Sequence, residues 1–161
     1  MADYTSNIIA TMTSNDLPDP LHASATVEYL TNLAFKAFDG DNATHWYCYP
    51  GVTGELTPNF GVNKRVARYA IYPANNTDSV NPTAWKFYGS ANGSSWTELD
   101  SRTGITWTDS TMQNFDIASP GTYQYYKIAM SAAQSTPNGF TIKTLEMYEQ
   151  ILPSSGFFAL L

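Results

Sequence analysis

The sequence predicts an all-β chain, and three observations carry that expectation. Charged residues make up only 14% of the chain while Thr, Ser, Asn, Tyr and Trp are frequent, a composition that favours strands and turns over long helices. Apolar residues alternate with polar ones in short runs, and Pro, Gly and Asn punctuate the runs at short intervals. Repeated short strands of this kind build a β-sandwich or jelly roll, here of about eight antiparallel strands. At 161 residues the chain fits one domain with a core large enough to dispense with disulfides. Cys48 is the only cysteine, so no internal disulfide can form, and it reads as a small packing residue.

The elements follow in chain order. Residues 8–12 and 23–27 read as edge strands and residues 30–38 as the place of one helical turn. Residues 65–73 alternate, with Ala67, Tyr69 and Ile71 on one face and Arg68, Ala70 and Tyr72 on the other, and stop at Pro73. Residues 83–90 repeat the pattern with Trp85 and Phe87 against Lys86 and Tyr88, and Asn92-Gly93 then predicts a hairpin leading to Trp96 and Leu99. Further strands are expected at 113–118, 123–132 and 141–149. Trp85 and Trp96 belong by alternation to the core. The domain is expected to close at residue 149, with residues 150–161 forming an apolar tail behind a Pro-Ser-Ser-Gly hinge.

Composition also excludes. The net charge is −6 and the eight Lys and Arg residues are scattered, which disfavours nucleic acid and anionic lipid surfaces. No run is long enough to span a bilayer as a helix, and residues 1–20 show no cationic start followed by an apolar stretch. No nucleophile elbow, zinc-protease helix motif or glycine-rich phosphate loop is present. A non-catalytic protein is expected.

The densest chemistry lies at Asp39-Gly40-Asp41-Asn42-Ala43-Thr44, between Phe38 and Trp46. Two readings suit it. Asp39, Asp41 and Thr44 could offer oxygens to a hard cation such as calcium, with Gly40 letting the chain fold back. Alternatively, this is an Asp-Gly turn whose carboxylates cap neighbouring backbone N–H groups.

Three ordered motifs, Lys36 to Trp46, Asn59-Phe60-Gly61 before the strand at 65–73, and Asn81 to Ser90 leading into Ser94-Ser95-Trp96-Thr97-Glu98-Leu99, resemble the discoidin or F5/8 type C family. Its sugar-binding branch is carbohydrate-binding module family 32. The resemblance covers about residues 23–148. It implies a jelly roll of the galactose-binding-domain type with a structural calcium held by Asp39, Asp41 and Thr44, joined from the last strand by Glu146, and with ligand loops nearby.

Sugars are gripped by aromatic faces and by polar side chains that fix their hydroxyls. The loop residues that fit are Tyr47 and Tyr49, then Asn75, Asn76 and Asp78, then Gln134, Asn138 and Phe140. Galactose-binding members often place an Arg after the corresponding strand and a His after the loop tryptophan. Tyr72-Pro73-Ala74-Asn75-Asn76 and Trp46-Tyr47-Cys48 stand there instead, so the resemblance does not carry galactose over. These loops are also too polar for membrane insertion. The expected function is glycan recognition supported by calcium, in a subunit displayed on a virion or another extracellular surface. In that setting the apolar tail would dock on other protein subunits or on a second copy of the chain. The alternative is a purely structural virion protein that binds no glycan.

Overall fold

The computed structural model describes residues 2–74, 80–108, 110–134 and 139–152. Eleven strands run through the described residues. They are β1 (Asp3–Tyr4), β2 (His22–Ala25), β3 (Trp46–Cys48), β4 (Gly54–Lys64), β5 (Val66–Tyr72), β6 (Pro82–Ser90), β7 (Thr97–Arg102), β8 (Gln113–Asp116), β9 (Tyr123–Ala133), β10 (Phe140–Ile142) and β11 (Thr144–Ile151). The one helical element among them is a 3₁₀ turn, Ala34–Ala37. A four-stranded sheet ordered β1-β11-β5-β8 faces a five-stranded sheet ordered β2-β4-β9-β6-β7, and β10 pairs with β3 in a small ribbon. Every strand pair is antiparallel. The all-β sandwich expected from composition and alternation is the observed one.

Inward faces of the two sheets meet through aromatic rings. Tyr69 on β5 stacks on Phe87 of β6 with centroids 4.3 Å apart, and Phe115 on β8 meets Trp85 edge-on at 5.0 Å. The buried polar tips are satisfied as burial demands: Trp85 Nε1 donates to the Tyr69 hydroxyl at 2.7 Å, which donates to Asp100 Oδ2 at 2.7 Å. Burial pushes the Tyr69 phenol far above its ordinary range. Tyr126 closes the other end of the core. Its hydroxyl donates to the Lys64 carbonyl at 2.7 Å and accepts from the Val66 N–H at 3.2 Å, pinning the turn from β4 to β5.

The structure corrects several expectations. Residues 8–12 form no strand; the Asn7 side chain holds this segment, accepting from the Ile9 and Met147 N–H groups. Strand β4, eleven residues long, was not expected because Pro58, Asn59 and Gly61 break its appearance; its buried Leu56, Pro58 and Phe60 nevertheless alternate. Gly61 is required there, since it sits at φ +68° and an added Cβ would lie 2.4 Å from Pro20. Residues 141–149 are not one strand but parts of β10 and β11, divided at Lys143. Trp96 is only half-buried, beneath the Lys127 ammonium 4.4 Å from its ring, while Trp107 takes a core place with Nε1 donating to Pro82 O at 2.7 Å. Strand β11 runs through Ile151, two residues beyond the end of the strand expected at 141–149. Ile151 and Leu152 are exposed, and residues 153–161 of the expected docking tail lie outside the described residues.

Candidate functional site

The acidic turn follows directly from the 3₁₀ turn. Gly40 takes φ +72°, which reverses the chain. Asp39 Oδ1 accepts from the Asp41 N–H at 3.0 Å and Asp41 Oδ1 from the Ala43 N–H at 2.8 Å, so the capping reading of these carboxylates is present in the geometry. Thr44 folds over them, its hydroxyl donating to Asp39 Oδ2 at 2.6 Å and its N–H to the Asp41 carbonyl at 3.1 Å. Asp39, Asp41 and Thr44 are thus one cluster. The Lys36 ammonium lies 3.6 Å from Asp39 Oδ2, so the carboxylate already faces positive charge.

Strand β11 touches this turn, because the Thr144 hydroxyl donates to Asn42 Oδ1 at 2.7 Å. Glu146 lies two residues on, across from Ala70 in register, and alternation puts it on the strand face that Thr144 uses. Its Oε2 accepts from the Tyr148 hydroxyl, whose pKa is raised by burial and by that carboxylate. As a donor set the turn fits a hard cation: two carboxylates, a hydroxyl and the Asp41 carbonyl are all oxygens. Among the described residues no three His, Cys, Asp or Glu side chains converge. A cation held here would therefore draw on hydroxyl and carbonyl oxygens as well.

Beside the turn stands a cluster of tyrosines. Tyr47 and Tyr49, on and just after β3, stack at 5.5 Å with an interplanar angle of 23°, and Tyr29 meets both edge-on at 5.5 and 5.1 Å. Tyr29 was not foreseen from the sequence. Its signal was present, an aromatic residue in a polar loop, but only the tertiary pairing shows its neighbours: the Tyr29 N–H donates to the Tyr47 carbonyl at 3.0 Å and the Tyr47 N–H to Asn32 at 3.3 Å. Between them Leu30 is held at φ 54° with its side chain 77% exposed, a conformation an L-residue adopts at a cost. Trp46 anchors the strand from beneath, wholly buried, with Nε1 donating to Val27 O at 3.0 Å.

Strand β10 packs against this cluster. Tyr47 pairs in register with Thr141, and Gly139 packs so close that an added Cβ would lie 2.8 Å from the Tyr47 ring. Buried Asn81 ties the two outer loops together: its Oδ1 accepts from the Ala74 N–H at 2.8 Å and its Nδ2 donates to Gln134 Oε1 at 3.0 Å. Gln134 therefore holds loops in place as well as facing solvent. Phe140, expected to contact ligand, is wholly buried and presents no ring face to one; its position on β10 opposite Cys48 points it into the core. Asn75, Asn76, Asp78 and Asn138 lie outside the described residues. Of the described residues next to them, Gly139 packs against the Tyr47 ring.

The sequence model of the F5/8 type C domain matches residues 21–144. No curated protein sequence matches the chain significantly. Among solved structures, the chain is similar to CpGH89CBM32-5 from Clostridium perfringens, solved with GalNAc-β-1,3-galactose, at 17% identity and TM-score 0.70, covering 80% of this chain and 95% of that one. It is also similar to the family 32 module of Clostridium perfringens NanJ in complex with galactose, at 24% identity and TM-score 0.65, over 80% and 93% of the two chains. A third likeness is to chitosan-binding module 1 from a chitosanase/glucanase of Paenibacillus sp. IK-5, at 18% identity and TM-score 0.70, over 90% and 100%. At these identities the likeness is one of fold.

Proposed function

The chain belongs to the F5/8 type C domain family, and from that premise we propose that it is a non-catalytic carbohydrate-binding module whose glycan docks on Tyr29, Tyr47 and Tyr49. The observation that carries the reading is the mutual packing of these three rings beside the ribbon of β3 and β10. Rings fixed by their neighbours lose little freedom on binding and offer apolar faces to sugar C–H groups. Tyr49 is exposed, so part of the cluster is open to a ligand. The sugar-bound modules of similar fold support the ligand class. Asn75, Asn76, Asp78 and Asn138, side chains of the type that hydrogen-bonds sugar hydroxyls, are proposed to supply such contacts.

A structural calcium at Asp39, Asp41 and Thr44, with Glu146 from β11, is part of the proposal. It rests on the oxygen cluster and on the Thr144–Asn42 bond that already joins that turn to the last strand. The ion would supply positive charge that holds turn and strand together, and would take no part in any reaction. Display on a virion or another surface assembly remains part of the same proposal, supported by the exposed Ile151 and Leu152 where the described chain leaves β11.

The test is a glycan array probed with the protein in calcium buffer, followed by calorimetric titration of the best hit. Binding is expected, weakened about tenfold or more, or about 1.4 kcal/mol, by Tyr47→Ala or Tyr49→Ala. An array without hits, or hits indifferent to both substitutions, would overturn the tyrosine site.

A further inference from the structure

An open cleft of about 780 Å³ lies on the outer face of the five-stranded sheet, within the roughly 300–1,000 Å³ of small-ligand sites. Its walls are the direct continuations of the tyrosine cluster. Thr26 and Val27 form one wall, two residues short of Tyr29, and residues 50–54 form the other, beginning immediately after Tyr49. The floor is sheet: Lys86 on β6, and Ala129 and Ser131 on β9. Each wall thus runs into the cluster within a residue or two.

We propose that this cleft is a second subsite continuous with the tyrosine cluster, so that the protein takes a neutral oligosaccharide several residues long rather than a single terminal sugar. The inference rests on the glycan-binding reading and specifies its ligand. Charge gives no preference for an ionic ligand. The two charged groups in the cleft are already neutralised, Glu55 by Lys127 at 3.0 Å and Lys86 by Glu98 at 2.8 Å. What is left to a ligand is apolar surface, from Val27, Pro50 and Val52, interrupted by the hydroxyls of Thr53 and Ser131. That mixture suits the C–H faces and hydroxyls of an uncharged saccharide. Val52, 64% exposed on the rim, is the edge over which the chain would pass.

The experiment titrates the wild-type protein with matched neutral mono-, tri- and pentasaccharides that share the terminal sugar of the best array hit, and with an anionic uronic-acid series. Affinity is expected to rise about tenfold or more from mono- to pentasaccharide. Ser131→Trp, which fills the cleft floor from an exposed strand position, should remove that gain and leave monosaccharide affinity unchanged. Amide chemical-shift changes in the wild type give a readout free of folding effects. The pentasaccharide should move Gly51, Thr53 and Ser131, and the monosaccharide should not. Equal affinity for all chain lengths, with cleft amides unmoved, would overturn the second subsite while leaving the tyrosine site standing. Preference for the anionic series would overturn its neutral character. Absence of binding by every member would sink both readings together.

Discussion

Asn81 shows how much a single buried amide can decide. It is fully buried, and its side chain bonds Ala74 on one loop and Gln134 on another. Removing it leaves the buried Ala74 N–H without its acceptor, which costs about 1–3 kcal/mol. Asn81→Ala should lower the melting temperature accordingly and weaken glycan binding, because Ala74 and Gln134 lose their tie beside the proposed ligand residues. A variant with unchanged stability would show that the amide is not their link. Tyr126 makes a second residue-scale case. Burial raises its phenol from 10.0 to about 12, against the opposing effect of the Val66 N–H. The folded state therefore keeps the proton to higher pH than the unfolded chain. The resulting stability is complete below pH 10 and is lost as pH rises through about 12. Melting temperature should fall through that interval, less steeply in Tyr126→Phe than in the wild type; parallel curves would discount this phenol. The sequence marked Tyr47 and Tyr49 as site residues because they follow a loop tryptophan. It could not mark Tyr29, which reaches them only through backbone pairing, or exclude Phe140, whose inward direction is set by its register against Cys48.

At the scale of elements, the small ribbon of β3 and β10 is what converts a sandwich into a candidate site. It carries Tyr47 on one strand and the end of an outer loop on the other, and Gly139 lets them approach. A Cβ there would lie 2.4 Å from the Cys48 carbonyl, too close for either backbone to keep its place. Gly139→Ala should therefore cost about 1–3 kcal/mol and should also reduce glycan affinity by displacing Tyr47. Unaltered calorimetric titration would mean that the ribbon does not set the ring's position. Alternation made β5, β6 and the β6–β7 hairpin legible in advance, since Tyr69, Ile71, Trp85 and Phe87 are buried while their neighbours Arg68, Tyr72, Lys86 and Tyr88 are more open. Strand β4 was hidden by Pro58 and Gly61, residues that argue against a strand locally; here Pro58 sits opposite Ala23 of β2 and Gly61 packs against Pro20. The split of β10 from β11 at Lys143 was equally hidden. The apolar pattern runs on through both, while their partners, β3 and β5, belong to different sheets.

For the molecule as a whole, the long-range consequence is the closure between an early turn and the final strand. Thr144 on β11 bonds Asn42 of that turn, and Met147 N–H bonds Asn7, so both the early turn and the segment at Asn7 are fastened to β11. A calcium bound at Asp39, Asp41 and Thr44 would strengthen this closure by mass action, by about 3 kcal/mol at roughly a hundredfold excess over its Kd. Chelator should then lower the melting temperature of the wild type and leave Asp39→Ala, already destabilised, indifferent to the metal. A wild-type melting curve identical with and without chelator would remove the ion from the proposal. By itself the sequence determined the all-β class, the strongest strands, the acidic turn and the family. Each of these is written in local alternation, turn residues or an ordered motif, which depend on neighbours along the chain. Only the tertiary structure decided which rings share a cluster, which loops are tied by Asn81, and where the outer cleft runs. Those depend on strand register between segments far apart in sequence, and a shift of one residue would turn every such side chain to the opposite face.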